Sequence, residues 1–353
     1  MSDPMKWFDG RIPLRELSAF LRRKIVPGHG QMFWYLFGGL TLLFICIQLV
    51  TGILLSLYYQ PTPETAFESV ARITNNVNFG WLIRGIHRWS AHLVVFCVLV
   101  HMASKYFFVA YRKPREATWI SGMMLLGIVV GFAFTGYLLP WTKEGYFATQ
   151  IGIEIPGSMP LVGGFIARFL RGGEYVDGVT LTRVFSLHAV ILPLISLAII
   201  LFHLIQNQYT GSALPKGRRP GREIPFLPDF LYRDTLAWIV GIMVLLTCSL
   251  IFPIETGLKA DTLASPPEGI RPEWYFIPLY QTIKWLPAYI LGLNTEIFIN
   301  AGVGCLVMAL FLLPWIHRTR EEIFSGTDRT FRIIGIAGLL YFIVTVVYSW
   351  LVP

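Results

Sequence analysis

Four histidines in two apolar segments constrain this chain most: His87 and His101 in one, His188 and His203 in the other. At about 100° per residue, the 14-residue step from His87 to His101 falls about 40° short of four helical turns and rises about 21 Å. One helix therefore carries both rings on one face. The 15-residue step from His188 to His203 overshoots four turns by about 60° and rises about 22 Å, so a second helix presents a matching pair at matching depths. Two such helices face to face can hold two metal centres, one above the other. An imidazole in an apolar helix can instead be a core residue bonded to a neighbouring carbonyl, but four in two pairs of near-equal spacing favour ligands. His29 and His317, at segment ends beside basic residues, read as interfacial. His92, about 140° around the helix from His87, is left off the ligand face.

The solvent around these helices follows from composition. Hydrophobic residues make up 54% of the 353 and charged residues 14%, with a mean hydropathy of +0.58, which excludes an ordinary soluble globular chain. Apolar stretches long enough to cross about 30 Å of hydrocarbon run near 34–58, 81–109, 117–139, 184–206, 235–254, 297–316 and 331–351. The expected fold is an all-α polytopic membrane protein of seven transmembrane helices, a four-helix bundle followed by three helices. Ionisable groups at membrane depth are costly and default to functional candidates, which strengthens the histidine reading.

With the N-terminus inside, the inner segments carry seventeen Lys and Arg and the outer segments eight, so the positive-inside rule sets this orientation and leaves the C-terminus outside. Topology, with anionic lipid as a partner, accounts for the net charge of +8. Nothing points to nucleic acid. Cys46, Cys97, Cys248 and Cys305 lie in apolar segments without CxxC spacing and read as reduced packing residues. The charged, amphipathic stretch 8–26 precedes a long span and reads as an inner-surface segment rather than a cleavable signal.

Two outer loops, 141–183 and 255–296, are too long and too patterned to be connectors alone. Their apolar runs, 145–155 and 274–285, are too short to span and suit the interface or a cavity wall. The basic, Pro- and Gly-rich stretch 211–228 is the one seam. The expected organisation is an inner-surface segment 1–33, a four-helix bundle 34–210, a basic linker 211–230 and a three-helix unit 231–353.

Glycines turn the metal hypothesis into a haem hypothesis. Gly38 and Gly52 are 14 residues apart, as are Gly122 and Gly136, the same step as His87 to His101. Close helix packing alone can use such glycines, but the shared period suits gaps for a flat macrocycle. Two histidines fill both axial positions of a haem iron and leave no open site, so such a centre moves electrons only.

With these features in place, the chain closely resembles cytochrome b of the quinol:cytochrome c reductases, of the cytochrome b6 type fused to its subunit IV. The matching text is "RGIHRWSAH" with His101 after it, "RKPREATW", "GYLLPW", "TLTRVFSLH" with His203 after it, and "PEWY" at Pro272, Glu273, Trp274 and Tyr275. The resemblance runs over about 25–353, and the 15-residue histidine step and seven helices look like the b6 plus subunit IV pattern. It implies two non-covalent b haems, His87 with His188 near the outer face and His101 with His203 near the inner face. Arg84 matches an arginine that pairs with a haem propionate; Arg88 reads as interfacial. The implied outer quinol site lies between "GYLLPW", the loop after it and "PEWY". Glu273, beside apolar Trp274, Phe276 and Ile277, would take a quinol proton, with Tyr275 and Tyr137 lining the site. An inner quinone site would use Arg233, Asp234 and Gln208, although Arg233 and Asp234 can equally be an interfacial ion pair.

Two departures from the b6 pattern stand out. Leu36 occupies the place of the cysteine that binds an extra haem c, so no covalent haem c is expected. Gln208 and the Ser104–Lys105 pair replace inner-face arginines. The resemblance implies a quinol–cytochrome c or plastocyanin reductase subunit that contributes to the proton-motive force, with a Rieske iron–sulfur protein, a c-type cytochrome or equivalent acceptor, and a second copy of itself as partners. A bacterial cytoplasmic membrane is the expected location. Two rival readings stand beside it: a diheme quinone-linked anchor of a dehydrogenase, against which "PEWY" argues, and a proton-coupled transporter, against which the lack of Asp and Glu in the histidine-bearing segments argues.

Overall fold

A computed structural model describes residues 24–215, 223–266, 269–317 and 326–352, together with 19, 22 and 221. Most of the expected inner-surface segment, the basic residues Lys216, Arg218, Arg219 and Arg222 of the seam, and Pro267, Arg318 and Arg320 lie outside the described residues.

The chain folds as a succession of helices: α1 (Leu36–Ser56), α2 (Ala66–Asn76), α3 (Gly80–Phe107), α4 (Glu116–Leu138), α5 (Lys143–Gly157), α6 (Gly163–Arg171), α7 (Gly178–Ser186), α8 (Leu192–Thr210), α9 (Leu231–Ile251), α10 (Ile277–Trp285), α11 (Thr295–Phe311), α12 (Leu313–Ile316) and α13 (Gly326–Leu351). Six stretches are long and apolar enough to cross a membrane, the fourth being the continuous run Gly178–Thr210, and α11 is a shorter apolar helix. Only 6–33% of each span's apolar window is buried inside the protein. A surface this apolar is stable only against hydrocarbon. The exposed positions of Cys46 and Cys305 belong to it, whereas Cys97 is buried.

The sixth apolar run, 297–316, yields a helix shorter than itself because of Pro314. A proline lacks the N–H that would continue the ladder, so α11 ends and α12 restarts with Pro314 in its first turn.

Two helix pairs build the bundle: α1 lies along α3, and α4 lies along α8. α9 packs on α1 and α3, α11 on α4 and α5, and α13 on α10 and α3, so the last three spans wrap the first four. Phe44, Val94, Val95, Val98, Val129 and Leu245 form the buried centre between α1, α3, α4 and α9.

Both patterned loops carry structure. The first folds into α5, α6 and α7 around buried Trp141, Phe147, Ile153 and Leu181. Asp177 starts α7 with a capping box, its carboxylate accepting from Val179 and Thr180 while Thr180 bonds back. The two loops are tied by an antiparallel bridge, with Lys143 donating to Leu258 O at 2.9 Å and Ala260 donating to Trp141 O at 3.0 Å. At the opposite end, strand β1 (Ile25–Pro27) pairs antiparallel with β2 (Glu223–Pro225), joining the start of the bundle to the start of α9.

Candidate functional site

Between α7 and α8 the chain makes a π-helical turn, Leu187–Ile191, which contains His188. Pro193, one residue into α8, has no N–H for the carbonyl of residue 189 and its ring crowds that carbonyl. The wider turn relieves this, with Leu192 N–H reaching back to Leu187 O. A π turn takes in one residue more than an α turn, so the 15-residue step from His188 to His203 works as a 14-residue one. The overshoot expected from sequence is absorbed, and the two histidine pairs match.

Each imidazole sits in a notch left by a glycine on the adjacent helix. A Cβ at Gly52 would lie 3.4 Å from His87 Cε1, and one at Gly38 3.0 Å from His101 Cε1. On the other pair, a Cβ at Gly122 would lie 3.4 Å from His203 Cε1 and one at Gly136 only 2.8 Å from His188 Cε1. The glycines therefore do more than let backbones approach: they seat the rings.

Hydroxyl groups fix three of the four rings. Thr51 Oγ1 lies 2.8 Å from His87 Nδ1, Thr135 Oγ1 2.9 Å from His188 Nδ1, and Ser121 Oγ 2.9 Å from His203 Nδ1. Each hydroxyl donates its own proton to a carbonyl of its own helix, Ile47 at 2.7 Å, Gly131 at 2.7 Å and Thr118 at 3.0 Å. Its oxygen is then an acceptor toward the ring, so Nδ1 carries the ring proton and Nε2 keeps its lone pair. That is the tautomer a metal ligand needs. The expected signal was available in the sequence: Thr51, Ser121 and Thr135 each stand immediately before a seating glycine.

The rings of His87 and His188 face each other with centroids 6.5 Å apart. Two metal–nitrogen bonds of about 2 Å, with about 1.2 Å from each nitrogen to its ring centre, need about 6.4 Å. The seated, tautomer-fixed imidazoles thus fit axial ligation of one iron. Arg84 donates to Thr74 Oγ1 at 3.1 Å, Ile254 O at 2.9 Å and Glu255 O at 2.9 Å, clamping α3 to α2 and to the chain after α9.

At the His87–His188 end lies a second cluster, which the fold gathers from distant segments. Glu273 is 14% exposed and accepts from the Arg88 guanidinium, placing Arg88 in the cluster rather than at a free interface. His92 Nε2 stands 4.0 Å from the other carboxylate oxygen, and His92 Nδ1 accepts from Trp274 Nε1 at 3.2 Å. Arg88 lies over the Tyr137 ring at 5.4 Å, and the Tyr275 ring is 6.3 Å from His92. Burial, then the Glu273 charge, pushes the Tyr275 phenol up, so it stays a neutral donor at ordinary pH. The expected trio Glu273, Tyr275 and Tyr137 is brought together, and Arg88 and His92 join it.

The residues expected at the other end are not gathered in this way. Arg233 and Gln208 are exposed, whereas Asp234 turns its carboxylate onto Gly39 of α1, with Oδ1 buried and no hydrogen-bond partner among the described residues. The ion pair between Arg233 and Asp234 is absent among the described residues, because neighbouring helical residues point about 100° apart.

Comparison with known proteins finds matches to both halves of the chain. Residues 21–211 match the family model described as cytochrome b/b6/petB, and residues 259–352 match cytochrome b(C-terminal)/b6/petD. The cytochrome bc complex cytochrome b subunit of Chlorobaculum thiosulfatiphilum is 41% identical over 343 residues, 96% of this chain and 78% of that protein. Cytochrome b6 of Rippkaea orientalis is 42% identical over 210 residues, 60% of this chain and 94% of that protein. Among solved structures, a chain of a hyperthermophilic respiratory Complex III superposes with a TM-score of 0.86 at 28% identity, covering 99% of this chain and 91% of that one.

Proposed function

The chain belongs to the cytochrome b/b6 family, and from that premise we propose that it is the quinol-oxidising membrane subunit of a Rieske/cytochrome b complex. It is a multi-pass membrane protein that joins a b6-type bundle to a subunit IV-like C-terminal part and serves electron transfer. The observation that carries the fuller reading is the arrangement of four imidazoles in glycine notches, three of them held by hydroxyls with Nε2 free. His87 with His188 and His101 with His203 hold two b haems, and Gly38, Gly52, Gly122 and Gly136 seat the ligating rings. Held by these residues, haem would supply one-electron transfer.

The remaining steps belong to side chains. Quinol enters between α3, α4 and the "PEWY" segment, and Glu273 accepts a proton from its hydroxyl. Arg88 holds the Glu273 carboxylate in place through its charged hydrogen bond, Tyr275 donates to the quinone oxygen, and Tyr137 closes the wall against water. Asp234, with its buried and unmatched oxygen, delivers a proton to quinone at the other face, with Arg233 and Gln208 at the entrance. With the N-terminus inside, proton release falls outside and proton uptake inside, which builds a proton-motive force. The two histidine levels are about 21 Å apart by helix rise, most of the hydrocarbon core.

The reading includes a Rieske protein docking on the bridged outer loops, a c-type cytochrome, plastocyanin or equivalent as final acceptor, a bacterial cytoplasmic membrane and a dimeric complex. The units 34–210 and 231–353 act as the haem-holding and the quinol-site-completing parts. A dithionite-reduced minus oxidised spectrum with pyridine haemochrome quantitation tests the core of it. Two low-spin b haems per chain are expected; a colourless, folded protein made with ample haem refutes the proposal.

A further inference from the structure

Two buried polar atoms of α9 are unmatched in complementary ways. Asp234 Oδ1 is an acceptor and Trp238 Nε1 a donor, and each is buried with no hydrogen-bond partner among the described residues. Four residues apart, the two side chains share one face of the helix, about 40° from each other. That face packs on α1: a Cβ at Gly39 would run into the Asp234 carboxylate, and one at Gly241, three residues past Trp238, would meet Leu40 and Phe44. Gly39 follows Gly38, the seat of His101, so the unmatched pair lies beside the inner histidine level.

A buried donor or acceptor left unmatched is costly, and here one of each stands a single turn apart without reaching the other. Residues at this spacing have Cβ atoms about 5–6 Å apart, and two hydrogen bonds meeting on one oxygen span up to about 5.8 Å. One oxygen seated between them satisfies both groups. As a carbonyl it accepts from the indole N–H; as a hydroxyl it also donates to the carboxylate. The oxygen of a quinone alternates between these two forms. The indole N–H is a donor only, so it holds that oxygen in either form without exchanging a proton. Leu236, Ile239 and Val240 on the adjoining faces of α9 are exposed, which opens the pair to the hydrocarbon in which a quinone tail dissolves.

We propose that Trp238 is a substrate-binding residue of the inner quinone site, its indole N–H donating to the same quinone oxygen that Asp234 faces. Trp238 sets where the oxygen sits, and Asp234 exchanges the proton there. The inference rests on the reading that quinone is reduced at this face, and it adds to that reading a residue one helical turn deeper than Asp234.

Reoxidation of the pre-reduced haems by decylubiquinone tests it, in the purified complex carrying Glu273→Gln so that the outer site contributes little. Rates taken across quinone concentration separate half-saturation from the limiting rate. Trp238→Phe keeps an aromatic ring and removes the N–H, so half-saturation should rise about tenfold, the worth of one hydrogen bond, with the limiting rate nearly unchanged. Asp234→Asn should lower the limiting rate. Because both groups bond one oxygen, the double variant should lose less in half-saturation than the product of the single losses. Unchanged half-saturation in a Trp238→Phe protein that keeps both haems and its unfolding temperature means that the pair holds water only, and overturns the inference. Strictly multiplicative losses overturn it too. Should Trp238→Phe fail to assemble, Trp238→His retains a ring N–H: half-saturation near that of wild type supports the inference, and a rise like that expected for phenylalanine overturns it. If decylubiquinone reoxidises no haem even with Trp238 and Asp234 intact, the inner-site reading itself fails and takes the inference with it.

Discussion

The indole N–H of Trp274 donates to His92 Nδ1 at 3.2 Å, which fixes the proton of that ring on Nε2, the nitrogen 4.0 Å from Glu273 Oε2. Neutral His92 therefore presents a donor to the carboxylate while the opposite oxygen takes Arg88. His92→Phe removes both interactions and leaves the partly buried indole N–H of Trp274 without its acceptor, a cost of about 1 kcal/mol. His92→Gln can accept from Trp274 and donate to Glu273 in the same places. Quinol oxidation should slow in His92→Phe, shift in pH dependence and recover in His92→Gln; equal rates and pH profiles across all three would remove His92 from the site.

Glu273 is the one carboxylate among the cluster's described residues, which makes it the first candidate to carry a proton away from quinol there. Glu273→Gln keeps the shape and loses the acceptor, which should slow quinol oxidation on the order of 10²-fold or more and flatten its rise with pH. The haem spectra should not move, since Glu273 touches none of the four histidines or their seats. Turnover measured across pH, beside reduced-minus-oxidised spectra, checks both halves of the expectation. An unaltered pH profile would assign the proton to another acceptor.

The parts legible in the sequence and the parts that were not divide along physical lines. Histidine and glycine spacings could be read because a membrane helix keeps a 3.6 period and every residue of it counts. The 15-residue step looked like a 60° error until the π turn at Leu187–Ile191, caused by Pro193, took up the extra residue. The Thr51, Ser121 and Thr135 supports were visible as a hydroxyl before glycine, but their meaning needed the packing of α1 on α3 and α4 on α8. Arg88 and Glu273 are 185 residues apart and meet only because α3 lies against the segment before α10. Arg233 and Asp234 show the opposite case, neighbours in sequence that the helix turns apart.

The four glycine seats are unequal, and that ranks their alanine variants. A Cβ at Gly136 would stand 2.8 Å from His188 Cε1, a separation real contacts do not tolerate, while those at Gly52 and Gly122 would stand 3.4 Å from their rings. Gly136→Ala must push His188 out of line, and displaced ligand geometry of this kind costs about 10–100-fold in metal affinity. Haem per chain should fall toward one in Gly136→Ala and remain at two in Gly52→Ala and Gly122→Ala. Gly38→Ala, with its Cβ 3.0 Å from His101 Cε1, should fall between them. Equal haem content in all four would mean that the glycines serve helix packing and not the rings.

At the end of the molecule away from Glu273, the loop between α3 and α4 is locked to the C-terminal helices by a buried polar network. Tyr111 Oη meets His317 Nδ1 at 2.5 Å, His317 Nε2 meets Asp328 Oδ1 at 3.0 Å, and Arg112 donates to the same oxygen at 2.9 Å. The side chains of His317 and Asp328 are each 1% exposed, so His317, read from sequence as interfacial, is instead interior. Burial, the largest cause, pushes the Tyr111 phenol up and keeps it protonated. Asp328→Asn removes the network's one carboxylate among the described residues and takes the charge partner from Arg112, a loss of about 3–5 kcal/mol for a buried pair. Because Asp328 opens α13 and Tyr111 follows α3, the loss should appear as a lower unfolding temperature and faster amide hydrogen exchange along α13, measured by thermal denaturation and hydrogen exchange. Haem content should be retained, since the network touches no ligand; retained stability would show instead that α10 and α3 alone hold α13 in place.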